Sequence, residues 1–382
     1  MLELDPAQRA LRAEFERFAA REIAPHACRW DEEERFPREI LRTLGGLGWL
    51  AIGFPEPLGG SGGGPIERAL LFEELARASA AVALGVYVHS ALAAGALAEL
   101  ASPALTSAFL PPLLRGERVC AWAYAEPDAG ADVTRVRLRA RREDDAWVLD
   151  GAKLYITNGT LADHLVVVAR TSGEPGRMAG LSLFLVDGDT PGLVRTPMRK
   201  LGMRASDMGE LRFDGCRVAC ERLVGSEHNG FRASLPVLSR GRIYAGALAC
   251  GLGRAALDAA LGHTRAREQF GAPLSGLQGV RFALADMTAQ LAAARTLVYV
   301  AAARLAAGLP CDTEASIAKL TASEAATRLA ERALHLHGAQ GFMADSAVSR
   351  LYRDCKVFEW GEGANELQRE MIFEAAAAGF RP

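Results

Sequence analysis

A chain of 382 residues, half of them hydrophobic and 24% charged, is globular rather than disordered and long enough for two or three domains. Its formal net charge is −2 and its basic residues are dispersed rather than striped, which argues against nucleic acid as a partner. Seven cysteines without a CxxC pair and seven histidines without an HExxH motif read as reduced structural thiols and no metal site. The start, MLELDPAQRA, is charged and lacks an apolar leader core, so a cytoplasmic protein is expected rather than a secreted one.

The first zone, residues 1–117, reads as helical. Asp5, Pro6 and Gln8 form an N-cap, N1 and N3 set that predicts a helix through Phe15 and Phe18, ending before Pro25. A helix around Arg38–Leu47 follows, then the loop FPEPLGGSGGGP. No GK[ST] follows its glycine cluster and no strand precedes it, so it reads as a flexible loop rather than a phosphate cradle. The stretch from Ala78 to Ala98 carries no formal charge and is long enough for a bilayer. It is dominated by Ala, Gly and Ser with His89 near its centre, which predicts a buried helix and no membrane span.

The character changes near Val119. Short β-type runs (Trp147–Leu149, Leu165–Ala169, Leu181–Val186, Glu210–Phe213) separated by Gly, Asp and Pro turns predict a small β-domain over 118–226. Over 227–382 the helical period returns, with a break at Gly308–Asp312 that predicts two antiparallel helices. The α–β–α chain has neither βαβ alternation nor a GxGxxG turn, so no Rossmann-type nicotinamide site is expected. Near the end, YRDCKVFEWGEGANELQRE places Glu362 between Gly361 and Gly363. Asn365 and Gln368 stand at N-cap and N3 spacing, and Leu367, Met371 and Ile372 follow at helical intervals. Glu362 therefore falls in a tight loop just before a helix, where a solvated carboxylate is the simpler reading of the segment by itself.

Six segments in order change that reading. CAWAYAEPDAGADV (Cys120–Val133) resembles the "TEPxAGSD" signature of the acyl-CoA dehydrogenase family, and KLYITNG (Lys153–Gly159) resembles its "KxxITNG". KLGMRASDMGELRFDGCRV, REQFGAPLSGLQ (Arg267–Gln278), LHLHGAQGF and the Glu362 segment also match, at similar spacing. The resemblance implies an α+β multidomain fold: an N-terminal helical domain, a middle β-domain and a C-terminal four-helix bundle. It implies FAD as cofactor and an acyl thioester as substrate, with Glu362 abstracting the α-proton while the β-hydride passes to flavin N5. In the family a carboxylate does this in a dry pocket that raises its pKa, and the base's own N–H helps to hold the thioester oxygen.

Carried over by position, the resemblance puts Trp122, Tyr124, Ala125, Gly130 and Ala131 along the flavin ring and pyrophosphate, and Tyr155 and Thr157 on the ring's other side. Ala364 and Glu366 also fall to the cofactor. Arg267, Phe270 and Gln278 from one protomer, and His335, Gly338 and Ala339 from its neighbour, would meet the adenosine and diphosphate. That implies a homotetramer, a dimer of dimers. Ala131, Ser239, Arg242 and Gly361 fall on the substrate side. Departures are Ala125 for a usual Thr, Ala131 for Ser, His335 for Gln, Ala364 for Thr, Ser239 for Asp and Gly361 for Tyr. An acyl-carrier thioester therefore stays open beside acyl-CoA. So do an O2-using oxidase or a non-catalytic thioester binder beside a dehydrogenase served by an electron-transfer flavoprotein.

Overall fold

The computed structural model describes residues 3–381. Helix Pro6–Phe18 opens with a capping box: the Asp5 carboxylate accepts from the Gln8 N–H at 2.8 Å, and the Gln8 side chain accepts from the Asp5 N–H at 3.2 Å. Past Phe18 the chain loosens into a π-turn, Ala19–Ile23, and then tightens into a 3-10 turn, Ala24–His26, where Pro25 has no N–H to give the ladder. Helices Glu39–Gly46, Pro65–Ala78, Ala80–Tyr87, Ala94–Leu100 and Pro103–Leu114 follow.

The stretch Ala80–Leu100 is long and apolar enough to cross a bilayer, but 94% of its apolar window is buried inside the protein. Its single imidazole is satisfied there. The Cys120 N–H donates to His89 Nδ1 at 3.1 Å, which leaves Nε2–H to donate to the Leu113 carbonyl at 3.0 Å. Burial pushes the His89 pKa down to about 4, so it is a neutral strut between the last helix of this domain and the first strand of the next.

The middle domain is one eight-stranded sheet in the order β6-β7-β3-β2-β4-β5-β8, with β1 also paired to β4. The strands are β1 (Cys120–Ala123), β2 (Arg139–Glu143), β3 (Ala146–Thr157), β4 (His164–Arg170), β5 (Leu181–Asp187), β6 (Leu193–Pro197), β7 (Met208–Ala219) and β8 (Leu223–Val224). Strand alternation splits the central strands between two cores. Leu165, Val167, Phe184 and Val186 point into the domain's own core, while Val166, Val168, Leu183 and Leu185 join the large core of the helices. That double burial explains why β4 and β5 are continuous apolar runs, and it seats the sheet directly on the helical domains.

The C-terminal domain is built on the 37-residue helix Gly230–Ala266, with Gln278–Ala306, Asp312–His337 and Asn365–Ala377 packed as a four-helix bundle. The turn between the two middle helices falls at the predicted break, with Gly308 at φ 68°. Helix Pro65–Ala78 locks the first domain to the bundle through two buried carboxylates. Glu73 accepts from Arg295 at 2.7 Å and from the Tyr299 hydroxyl, and Glu74 accepts from Arg12 and Arg254 at 2.8 Å each. Buried charges persist only when paired in this way.

Candidate active site

The turn from Val357–Trp360 to Asn365–Ala377 carries Glu362. Glu362 and Gly363 both sit in left-handed conformation, at φ 55° and 85°, whereas Gly361 is at −65°. Glycine is thus required at 363, not at 361, and Glu362 itself holds a conformation unfavourable to a side chain, a strain the surroundings must offset. The offset comes from Lys319, buried in helix Asp312–His337. Its Nζ donates to the Gly363 carbonyl at 2.7 Å, the Asn365 Oδ1 at 2.9 Å and the Glu359 carbonyl at 3.3 Å. Gln368 Nε2 donates to the carbonyls of Gly363 at 3.1 Å and Glu362 at 3.4 Å. The capping role expected of Asn365 and Gln368 is therefore corrected. The N-cap is Ala364, with no side-chain bond, and the two amides hold the Glu362 turn from inside.

The carboxylate faces Gly241 on the long helix. A Cβ there would stand 2.7 Å from Glu362 Oε2 and 2.6 Å from Tyr87 Oη, so only glycine leaves room for both. Burial raises the Glu362 pKa above the ordinary carboxylate range, against the opposing pull of Tyr87, Arg242 and Lys319. Burial also brings Lys319 down to about 8 and pushes Tyr124 up to about 12, the latter helped by the Glu362 charge. Tyr124, just past β1, thus lies within electrostatic reach of the same carboxylate.

Around β1 the structure gathers most of the residues assigned to the flavin. Trp122 is buried, with an indole N–H that has no partner, and Ala125, Gly130 and Ala131 lie in the loop that follows. Nothing stands within 4 Å of a Cβ placed on Gly130, and the Tyr124 hydroxyl donates to its carbonyl. Tyr155 is 59% exposed at a bulge of β3 with φ 61°, two residues before Thr157. Lys153 stitches these segments together: its buried Nζ donates to Glu126 Oε1 at 2.7 Å and the Tyr124 carbonyl at 2.9 Å, and the Leu154 N–H donates to the Ala125 carbonyl at 2.8 Å.

Arg267, Phe270, Gln278, His335, Gly338 and Ala339 are all exposed and elsewhere. Arg267 follows Arg242 by 25 residues along one helix, roughly 37 Å at 1.5 Å per residue. The rings of His263 and His337 stack at 4.1 Å, which sets the Arg267 and His335 segments side by side on one end of a single protomer's bundle. The two sets expected from opposite protomers thus adjoin on each protomer. Ser239 is buried and its hydroxyl already donates to Asp312. Gly361 and Glu366 are exposed, and Ala364 is half-buried.

Sequence reasoning missed Tyr87 and Lys319. Lys319 left one signal, the lone lysine of the alanine-rich ASIAKLTASEAA; Tyr87 left none, being one aromatic in an uncharged buried stretch.

Three family models match in order: "Acyl-CoA dehydrogenase, N-terminal domain" over residues 5–117, "middle domain" over 121–216 and "C-terminal domain" over 228–377. The chain belongs to the acyl-CoA dehydrogenase family, and is an FAD-dependent oxidoreductase acting on CH–CH donors. It is 38% identical over 363 residues to an acyl-CoA dehydrogenase of Bacillus subtilis, covering 95% of this chain and 96% of that one. It is 36% identical over 372 residues to the mitochondrial short-chain specific acyl-CoA dehydrogenase of Mus musculus, covering 97% and 90%. Its structure superposes on butyryl-CoA dehydrogenase from Megasphaera elsdenii with a TM-score of 0.95 at 33% identity, covering 99% and 100%. The residues present suit a flavin: the buried Trp122 has an unmet indole N–H, the loop at Gly130 is open, and Tyr155 on β3 is exposed.

Proposed function

We propose that this enzyme desaturates a short or branched acyl-CoA at the α,β position, with Glu362 as the base that removes the α-proton. The observation that carries the reading is the Glu362 carboxylate itself, held by a strained and triply bonded turn beside Tyr87, Arg242 and Lys319, where burial raises its pKa. A base tuned upward is better matched to a weakly acidic C–H. FAD, when bound, accepts the β-hydride. Trp122, Tyr124, Ala125, Gly130, Ala131, Tyr155 and Thr157 would hold and orient it, largely through backbone groups, which the losses of hydroxyl at Ala125 and Ala131 leave untouched. The Glu362 N–H is assigned to the thioester oxygen and Arg242 to the polar part of the thioester; Ser239, already engaged by Asp312, receives no substrate contact. Acyl-CoA bleaching of the yellow protein under anaerobic conditions tests the reaction. Slow reoxidation by air, with fast reoxidation by an electron-transfer flavoprotein, would identify the acceptor. A cytoplasmic location suits such a protein.

The adenosine half of FAD is assigned to a second copy. The Arg267 and His335 segments are too far from the Glu362 chamber of their own protomer, yet they lie together, with Phe270 98% and Phe342 78% exposed beside them. An exposed aromatic surface of that kind calls for a partner, and the guanidinium fork of Arg267 suits a diphosphate. A yellow homotetramer, a dimer of dimers, is the expected state in sedimentation equilibrium; a fully flavinylated monomer would overturn it.

Gly361 bears on chain shape. A Cβ there would meet only the Val357 carbonyl, at 3.2 Å, so the position beside the base is unfilled. Branched acyl groups are expected to be accepted, and Gly361→Tyr to shift the kcat/KM ratio toward straight chains by about 10-fold or more, as loss of fitting volume in an apolar pocket does. A wild-type enzyme strictly limited to straight chains would refute the volume argument.

A further inference from the structure

Tyr87 is fully buried, its hydroxyl has no hydrogen-bond partner, and it is used by none of the assignments above. The ring is held edge-on by Phe72, with centroids 5.6 Å apart, and by Tyr244 at 6.5 Å, so its direction is set by packing. That direction is toward the base. Tyr87 Oη and Glu362 Oε2 flank the same point above Gly241, each under 3 Å from where a Cβ would sit. A buried donor without an acceptor is costly, and the terminal torsion of a glutamate is soft, so a small turn of the carboxylate completes the bond.

We propose that Tyr87 is a positioning residue for the base: its hydroxyl donates to the Glu362 carboxylate and aims it into the acyl chamber. The inference rests on the reading of Glu362 as base. The other charged and titratable groups facing the carboxylate are Arg242 on the long helix, Lys319 on helix Asp312–His337 and Tyr124 after β1, with Glu359 and Glu366 near Lys319 on the Glu362 side. Tyr124 is neutral too, but its hydroxyl is engaged by the Gly130 carbonyl; Tyr87 is the neutral donor left uncommitted, so it can fix the carboxylate's orientation without adding charge. A donor to the ionised form stabilises it, so the hydroxyl opposes the upward push of burial on the base.

The test is Tyr87→Phe on the FAD-loaded enzyme, with the rate of flavin reduction at low substrate followed against pH, because that quantity reports groups of the free enzyme. Phenylalanine keeps the ring between Phe72 and Tyr244, so unfolding temperature and flavin content are expected unchanged. The acidic limb of the profile is expected to move to higher pH by about half to one unit, the size of one hydrogen bond expressed as a pKa shift. Glu362→Gln is measured in parallel. If it abolishes reduction while the Tyr87→Phe profile superimposes on wild type, the positioning role is overturned and the base stands. If Glu362→Gln still reduces flavin at near wild-type rate, the base assignment falls, and the proposal with it.

Discussion

Glu362→Gln is expected to bind FAD and acyl-CoA normally and yet to reduce its flavin about 10²–10⁴-fold more slowly, or worse, the span a general base contributes. The amide is nearly isosteric, and the restraints on the turn do not involve the carboxylate: Lys319 and Gln368 bond backbone carbonyls and Asn365. The turn should therefore keep its shape while losing only the ability to take a proton. The facing position on the long helix is Gly241, which offers no carboxylate to substitute. In the wild type, reduction should rise with pH through a pKa above the ordinary carboxylate value, since burial raises that of Glu362 and only the ionised form is active. Stopped-flow absorbance of the flavin checks both statements. A variant within about tenfold of wild type would show that Glu362 is not the base.

Lys319→Met is expected to cost about 2–4 kcal/mol of stability and to slow flavin reduction by about 10²-fold, through geometry rather than chemistry. The ammonium is buried and makes three hydrogen bonds into the Glu362 turn. Methionine fills its volume but strands the Glu359 and Gly363 carbonyls and the Asn365 amide oxygen without that donor. Part of the loss is retained by Gln368 on Gly363 and by Ser323 on Asn365, which keeps the estimate below the sum of three bonds. Glu362 sits in left-handed conformation only because its surroundings require it, so a loosened turn relaxes and the carboxylate moves off its aim. Urea denaturation and single-turnover reduction measure the two effects. Lys319→Met with wild-type stability but slow reduction would mean that Lys319 acts on the base by charge and not by holding the turn.

The sequence by itself placed the helical, β and helical zones in order and singled out Glu362 as the candidate base. Asp5, Pro6 and Gln8 encode a helix start locally, so the capping box was legible; β4 and β5 are buried on both faces, so their apolar runs stood out. Strand β2, RARRE, was not legible, because four of its five side chains face solvent and only its pairing to β3 and β4 makes it a strand. Glu362 was found through six ordered segments, none of which is informative singly. Only the tertiary structure decided what surrounds that carboxylate. Tyr87, Gly241 and Lys319 come from three helices far apart in sequence, and each is unremarkable in its own segment: an aromatic in an alanine-rich helix, a glycine between arginines, a lysine among small residues. Their meaning lies in converging on one turn, with burial raising the pKa of Glu362, the lysine holding its backbone and the glycine leaving it space. Local propensity and periodicity are written in neighbouring residues, whereas burial and the direction of a side chain depend on what packs against it, and that is set by the assembled fold.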